Sequence, residues 1–321
     1  VNNQFNQGLP FASYDNTPLR FSGFDDCEGF GGGNIAAGAT QTYNLLAPQL
    51  YASAPVNAQV SLKAVGRSDN PDVPNDHNVI VGVNGTPYTN AAYDGFACSV
   101  VNFELPMTAL SGGTAAINIT SVGSTSEVDI NAASFCRLEY PHAYDFGNAA
   151  YFNFTIPNDG GKYLEISNFN GGDIPVLYDL TNNLRLEAIQ EGGLLKFHLP
   201  VGISSSSSRK LCLANTNVEQ VIAPNPIPFT FTDFTNPNNQ GNFIIITHPS
   251  LAQGDTNFVS EYANYRASLS GGAYTVQVVN INELYDQFAW GTTKHPLSIR
   301  HFINYALDTW AIAPQYVLLL G

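Results

Sequence analysis

The 321-residue chain carries 12 Lys and Arg against 26 Asp and Glu, a formal net charge of −14 at pH 7. Charged residues make up only 12%, with 44% hydrophobic and 12% aromatic. That mixture excludes dominant disorder and a Lys/Glu-rich helical bundle, and it suits β-sandwiches with long polar turns. No basic stripe can displace counterions from phosphates, so nucleic acid is excluded as a partner; the longest basic run, Arg209-Lys210, reads as a solvated pair at a strand end. No apolar run approaches the roughly 20 residues of a membrane-spanning helix. The chain opens at Val1 without Met or a signal peptide, and the numbering is expected to begin after processing.

The cysteines are Cys27, Cys98, Cys136 and Cys212. None shows CxxC or Cys/His ligand spacing, which argues against a zinc site. Disulfides and buried thiols are both open, and pairing cannot be read from spacing. Cys27 stands beside Asp25, Asp26 and Glu28, whose charge opposes a thiolate. The glycine run at 29–34 lacks a flanking strand and helix and the Gly-Lys-Ser/Thr of a phosphate loop, so it reads as a flexible turn.

From Gln59 onward Val60, Leu62 and Ala64 alternate with polar residues. A polar loop covers 69–78, and Val79, Val81 and Val83 resume before Asn84-Gly85. This predicts a hairpin with a long loop and then a tight turn. Further strands are expected near 97–104, 115–122 and 134–139, giving an antiparallel, jelly-roll-like sandwich over 1–140. A second β domain over 141–235 carries strand patterns at 150–156, 162–167, 174–179, 184–188, 194–199, 211–214 and 220–222. The serine tract 204–208 reads as a mobile loop, and the proline-spaced stretch 224–228 as a linker.

Within the long loop, Asp69, Asp72 and Asp76 offer oxygen ligands at close spacing, a candidate calcium site. The spacing is not that of an EF-hand, since no Gly bend or bidentate Glu follows. Asx-rich loops also hold themselves by side-chain to backbone hydrogen bonds without metal, and that is the preferred reading. Asp25, Asp26 and Glu28 form a weaker candidate of the same kind. No other cofactor is indicated.

The pattern changes at 236. The continuous apolar run at 243–247 fits a strand covered on both faces. Phe258, Tyr262, Tyr265 and Leu269 recur at helical spacing before Gly271-Gly272. A strand at 274–279, a helix marked by Ile299, Phe302, Ala306 and Trp310, and a strand at 316–320 complete a parallel α/β sheet over 236–321. Ligand and catalytic groups of such sheets sit beyond the carboxyl ends of the strands. The chain stops directly after its third strand, and a truncated, open-edged sheet is expected.

These residues carry a resemblance. "FIIITHP" (243–249) with Tyr262 and Tyr265-Arg266, "VVNINELYDQF" (278–288), then Gly291, Pro296, Ile299-Arg300, Phe302 and Tyr305, and "PQYVLLLG" (314–321) together resemble the opening of gingipain-type cysteine peptidases. Lys294-His295 stands where that family often carries an acidic residue, and Trp290 near a usually small one. In the β regions, "VSLKAVGRSDN" (60–70) with "HNVIVGVNG" (77–85), "FCRLEYPHAY" (135–144) and "PVLYDLTN" (175–182) resemble the amino-terminal part of one branch, the PorU-like sortases of the type IX secretion system. His142 replaces that branch's usual Arg.

The resemblance implies a caspase-like α/β peptidase domain, of which 236–321 is the start. It implies a cell-surface enzyme, outer-membrane associated, that removes C-terminal signal domains from secreted cargo and joins the cargo to anionic lipopolysaccharide. Other secretion components at the outer membrane are implied partners. The family's Cys nucleophile and His base lie downstream of the third strand, so no residue of this chain is expected to be catalytic and the chain alone is expected to be inactive. Cys98, Cys136 and Cys212 fall in strand-like runs, where Cys is most often a small buried hydrophobe. His248, after the 243–247 strand, reads as a loop histidine capping the next turn, with substrate contact as the other reading. His295 and His301 read as a loop and a helix-surface residue. The alternative function is a stand-alone extracellular module binding carbohydrate or protein. Aromatics lining a groove favour glycan, whereas an apolar patch or an open sheet edge favours peptide.

Overall fold

Strict alternation of apolar and polar residues makes a strand that buries one face, and this rule builds most of residues 1–223. The computed structural model describes the backbone of residues 2–5, 9–10 and 30–321 apart from 124–128, 218 and 254–255, with side chains from residue 32 onward. Asp25, Asp26, Cys27 and Glu28 lie outside the described residues. Contacts divide the chain into two units, residues 1–223 and 224–321.

The first module opens with β1 (Asn2–Phe5), β2 (Leu9–Pro10), β3 (Phe30–Gly31), β4 (Ile35–Ala36) and β5 (Thr40–Leu46). Longer strands follow: β6 (Ala58–Gly66), β7 (His77–Val83), β8 (Thr86–Tyr93), β9 (Cys98–Leu105), β10 (Thr114–Ser121) and β11 (Ile130–Glu139). They form two antiparallel sheets, β1-β11-β6-β9 and β5-β10-β7-β8, with β4 added to β11. Val60 and Leu62 of β6, Val79 and Val81 of β7, and Ile117 and Ile119 of β10 meet in one core. The predicted tight turn is present: Asn84 (φ 50°) and Gly85 (φ 80°) are both left-handed, as a primed hairpin turn requires.

The second module contains β12 (Asp145–Ala149), β13 (Tyr151–Pro157), β14 (Lys162–Phe169), β15 (Pro175–Asp179), β16 (Leu184–Glu187), β17 (Ile189–Glu191), β18 (Leu194–Leu199) and β19 (Ser208–Asn215). Its sheets are β12-β14-β18-β17 and β13-β19-β15-β16. All pairs are antiparallel except β12 with β14. Phe146, Leu164, Ile166, Leu177, Phe197 and Leu213 form the core between them. Residues 220–222, expected as a strand, carry none, being exposed and adjoining the prolines.

Two expectations fail here for one reason. Arg209 is not a solvated residue but a fully buried one. Its Nε donates to Asn158 Oδ1 (2.7 Å), its Nη2 donates to the carbonyls of Gly160 and Pro200 (2.7 Å each), and its Nη1 reaches Asp179 Oδ2 at 3.5 Å. Asp179 in turn holds the "DLTN" turn, Oδ1 accepting from the N–H groups of Thr181 (3.1 Å) and Asn182 (3.0 Å). The serine tract is tied to the same cluster. Asn182 Oδ1 accepts from the N–H groups of Ile203 and Ser204, and Asn158 Nδ2 donates to the carbonyls of Ser204 and Ser206. A low-complexity segment is loose only while its backbone lacks partners, and here Asn158 and Asn182 supply them.

In the second unit, residues 224–231 run exposed without strand or helix. The parallel sheet has the order β21-β20-β22, from β20 (Phe243–Thr247), β21 (Val276–Asn280) and β22 (Tyr316–Leu320). All five residues of β20 are buried, as a central parallel strand requires. α1 (Phe258–Ala267) sets Val259 and Ala263 against Phe243 and Ile245 on one face. α2 (Ile281–Phe288) and α3 (Leu297–Thr309) set Leu284, Phe302 and Ala306 against Ile244 and Ile246 on the other. α2 is absent from the periodicity reading. The stripe Phe258, Tyr262, Tyr265 and Leu269 does lie at helical spacing, but it faces outward and is exposed; small Ala263 and Val259 take the sheet side. The architecture is mainly β, two sandwiches followed by a three-stranded parallel α/β layer. No helix among the described residues is long and apolar enough to cross a membrane.

Candidate functional site

A parallel sheet of this order has a switch point beside its central strand, where successive crossovers leave toward opposite faces, and ligands bind outside the carboxyl ends there. Thr247, Asn280 and Leu320 are aligned at that edge. Thr247 Oγ1 is buried and makes no hydrogen bond among the described residues. His248 caps the next turn: its Nδ1 accepts from Ser250 N–H (3.2 Å) and lies 2.7 Å from Ser250 Oγ. Asn280 caps α2, its Oδ1 accepting from Asn282 N–H at 2.9 Å. The edge is thus a framework whose polar groups shape backbone, with His248 in the capping role.

The motif residues behind this edge hold it. Glu283 of α2 is buried and accepts from the N–H of Thr232 and, through Oε2, from its hydroxyl (3.0 Å), with Gln287 Nε2 also on Oε1 at 3.1 Å. It clamps the incoming chain just before Phe234 enters the core. The Arg266 guanidinium lies 4.6 Å from the Phe243 ring centroid and 4.8 Å from that of Tyr274, a cation–π stack that closes the α1 face. In the α2–α3 loop Trp290 (φ 51°) and Lys294 (φ 60°) occupy the left-handed region, which side chains with a Cβ enter at a cost. These are the positions where the family resemblance is broken. His295 Nδ1 accepts from Leu297 N–H (3.2 Å), and His301 is half-buried with Nδ1 2.9 Å from the Phe288 carbonyl.

The Asp69 loop is tied by Asp76. Asp76 is fully buried, and its two oxygens accept from the N–H groups of Gly95 (2.7 Å) and Asn70 (2.8 Å). Asp69 and Asp72 are exposed. Among the described residues no three His, Cys, Asp or Glu side chains are grouped to hold a metal ion, so the three aspartates are not brought together.

Beside Asp76 lies a buried cluster that spacing could not disclose. His77 presents Nδ1 to Asp129 Oδ1 at 2.6 Å and Nε2 to the Ser68 carbonyl at 3.0 Å. Asp129 also accepts from Ser121 Oγ (2.7 Å) and Asn131 Nδ2 (2.7 Å). Tyr93 donates to Asn131 Oδ1 and stacks on His77 with centroids 5.0 Å apart. Burial, then the charges of Asp129 and Asp76, hold the Tyr93 phenol well above its ordinary pKa, so it remains a donor. Gly66 is required here, since a Cβ would lie 1.9 Å from the Gly95 carbonyl oxygen. Ser, His and Asp are all present, yet Ser121 donates to Asp129 rather than to His77, and both His77 and Ser121 are fully buried. A nucleophile needs its base on the hydroxyl and access to substrate; this cluster has neither and is structural.

The thiols are equally remote from chemistry. Cys136 and Cys212 are free and buried, in β11 and β19. Burial pushes the Cys136 thiol up to about 12 and raises that of Cys212, a hydrogen bond with Tyr151 opposing the latter. Cys98 is disulfide-bonded, unlike the buried hydrophobe its strand pattern suggested, and its partner lies outside the described residues. Because only the thiolate is nucleophilic, neither free thiol of the native chain should be alkylated by iodoacetamide over several hours at about pH 8, while both should react on unfolding. Rapid native labelling of Cys136, read by mass spectrometry, is the result that contradicts this.

Residues 236–321 match Peptidase family C25. The C25 match coincides with the parallel sheet and its helices. Over the whole chain, the fold matches the crystal structure of dimeric latent PorU from Porphyromonas gingivalis, with TM-score 0.57 and 14% identity, over 99% of this chain and 29% of that one. The chain therefore spans under a third of that relative's length, and at this identity the likeness establishes the fold. The CBM36-1 domain of a multidomain xylanase from the hindgut metagenome of Trinervitermes trinervoides covers 44% of this chain and 100% of its own, at 11% identity and TM-score 0.28; a score of that size supports no argument. No curated protein matches the chain in sequence.

Proposed function

We propose that the chain is the amino-terminal segment of a PorU-type sortase, a cysteine peptidase of the C25 kind. The two β-modules dock secreted cargo and scaffold the peptidase, and 236–321 opens the catalytic α/β domain. The whole protein then removes C-terminal signal domains from cargo at the bacterial cell surface and attaches the cargo to anionic lipopolysaccharide. One observation carries this reading: a C25 match at residues 236–321 in a chain whose entire length follows the PorU fold. The disulfide at Cys98 adds support, because disulfides persist in oxidising, extracytoplasmic compartments. The buried thiols and the capping role of His248 support a catalytic dyad placed elsewhere in the protein.

The test uses the full-length protein and a fluorogenic peptide spanning the junction between cargo and signal domain. Full-length protein should cleave it and lose that activity to iodoacetamide, while residues 1–321 alone should leave it intact. Cleavage by residues 1–321, or full-length activity indifferent to iodoacetamide, overturns the reading.

A further inference from the structure

The two β-modules of the first unit meet along a built seam. Leu50 bridges His142, the Tyr51 N–H donates to the Pro141 carbonyl (3.0 Å), the Ala143 N–H to that of Gln49 (2.8 Å), and the Tyr140 hydroxyl to that of Pro48 (3.1 Å). Beside this seam opens a cleft of about 470 Å³. Its walls are aromatic: Tyr51 and Tyr144, both exposed, and Phe146, Phe152 and Phe154, with His142 among them. The Phe146 and Phe152 rings stack at 4.0 Å, and His142 lies 5.0 Å from Phe152.

Among the described residues of the lining Glu139 alone is formally charged, and no Lys or Arg lines the cleft. Asn57, also in the lining, donates to the carboxylate of Glu104 just behind (2.9 Å). Arg137 approaches Glu139 at 4.0 Å with both side chains well exposed, and such a pair neutralises little. The His142 Nδ1 is turned to the Ala143 carbonyl; burial and the positive chain terminus lower its pKa, that bond and the Asp145 charge oppose them, and the balance lies below the ordinary imidazole value. Aromatic faces beside a carboxylate are the chemistry that receives an ammonium or guanidinium group.

One wall of the cleft is β13, which pairs only with β19 at the edge of its sheet among the described residues. Natural edges are guarded by lysine, inward charge, bulges or proline. Here Tyr151 to Ile156 carries none of these, and Pro157 stands only at the end. An unguarded edge takes an extended peptide as a further strand, and neighbouring pockets read its alternate side chains.

We propose that this cleft is a docking site for an extended peptide segment that adds to β13 and seats an arginine or lysine side chain among the aromatic rings, against Glu139. The docking role proposed above bears only on where such a peptide comes from. The preference for a basic side chain stands on the cleft itself.

The test uses the 321-residue chain and a fluorescein-labelled six-residue peptide of alternating threonine and valine with one central arginine. Its twin carries citrulline, which has the same shape without the charge. By fluorescence anisotropy the arginine peptide should bind about tenfold tighter than its twin. Glu139→Gln, at an exposed position, should bring the two within about twofold at an unchanged melting temperature. Tyr144→Ala should weaken the arginine peptide about fivefold or more. Equal affinity of the twins, no binding up to millimolar concentration, or a neutral xylan oligosaccharide displacing the peptide each overturns the proposal, the last in favour of glycan. None of these outcomes touches the peptidase reading, which is decided by the iodoacetamide assay on the full-length protein.

Discussion

Arg209→Ala is expected to destabilise the first unit by about 3–5 kcal/mol, the cost of breaking a buried ion pair from one side. The residue is fully buried and serves Asn158, Asp179 and the carbonyls of Gly160 and Pro200 at once. Its removal leaves Asp179 charged without a counter-ion and orphans two carbonyls. Replacing a buried pair by apolar residues is often neutral, but not here. Asp179→Leu with Arg209→Met should remain destabilised by roughly 2–3 kcal/mol, because the Asp179 carboxylate also caps the 179–182 turn and the carbonyls still lack donors. Lys210→Ala, next door but exposed, should stay within about 0.5 kcal/mol. Urea unfolding monitored by circular dichroism distinguishes these values, and an Arg209→Ala loss below about 1 kcal/mol defeats the account.

Asp129→Ala should be comparably severe in the first module, about 3–5 kcal/mol. The carboxylate accepts from His77, Ser121 and Asn131, and His77, Ser121 and Asn131 are fully buried, so its loss strips three buried groups of that acceptor. The imidazole faces an acceptor through each ring nitrogen, Asp129 on one side and the Ser68 carbonyl on the other. Asp72→Ala, in the exposed part of the same loop, should cost under about 0.5 kcal/mol, and calcium should not change the unfolding midpoint of the parent protein. A calcium-dependent midpoint that Asp72→Ala abolishes defeats this picture and restores a cation to the loop.

Strands with one clean apolar face were legible in the residues. Val60, Leu62 and Ala64, Ile117 and Ile119, and the unbroken run at 243–247 announced their environments because burial there follows strand period or full coverage. β5 was not legible: in Thr40–Leu46 only Tyr43 and Leu45 turn inward, too few to stand out. α2 hid behind the β21 strand pattern because Asn280 ends the strand and caps the helix in a single residue. Arg209, His77 and Asp129 were opaque for a different reason. A buried charge is revealed by its partners, and theirs lie far along the chain, 52 residues apart for His77 and Asp129. The family motifs showed where the parallel layer begins, while the aromatic cleft depended on β13 meeting the 140–144 seam, a juxtaposition that local pattern does not encode.

The cysteine arrangement also constrains biogenesis. Of the other cysteines in these 321 residues, Cys136 and Cys212 are sealed inside β11 and β19 once those strands assemble. Oxidation that precedes strand assembly meets all of them, and exchange between thiolates is then open. Oxidation that follows it meets neither, so folding itself acts as the proofreader of the disulfide.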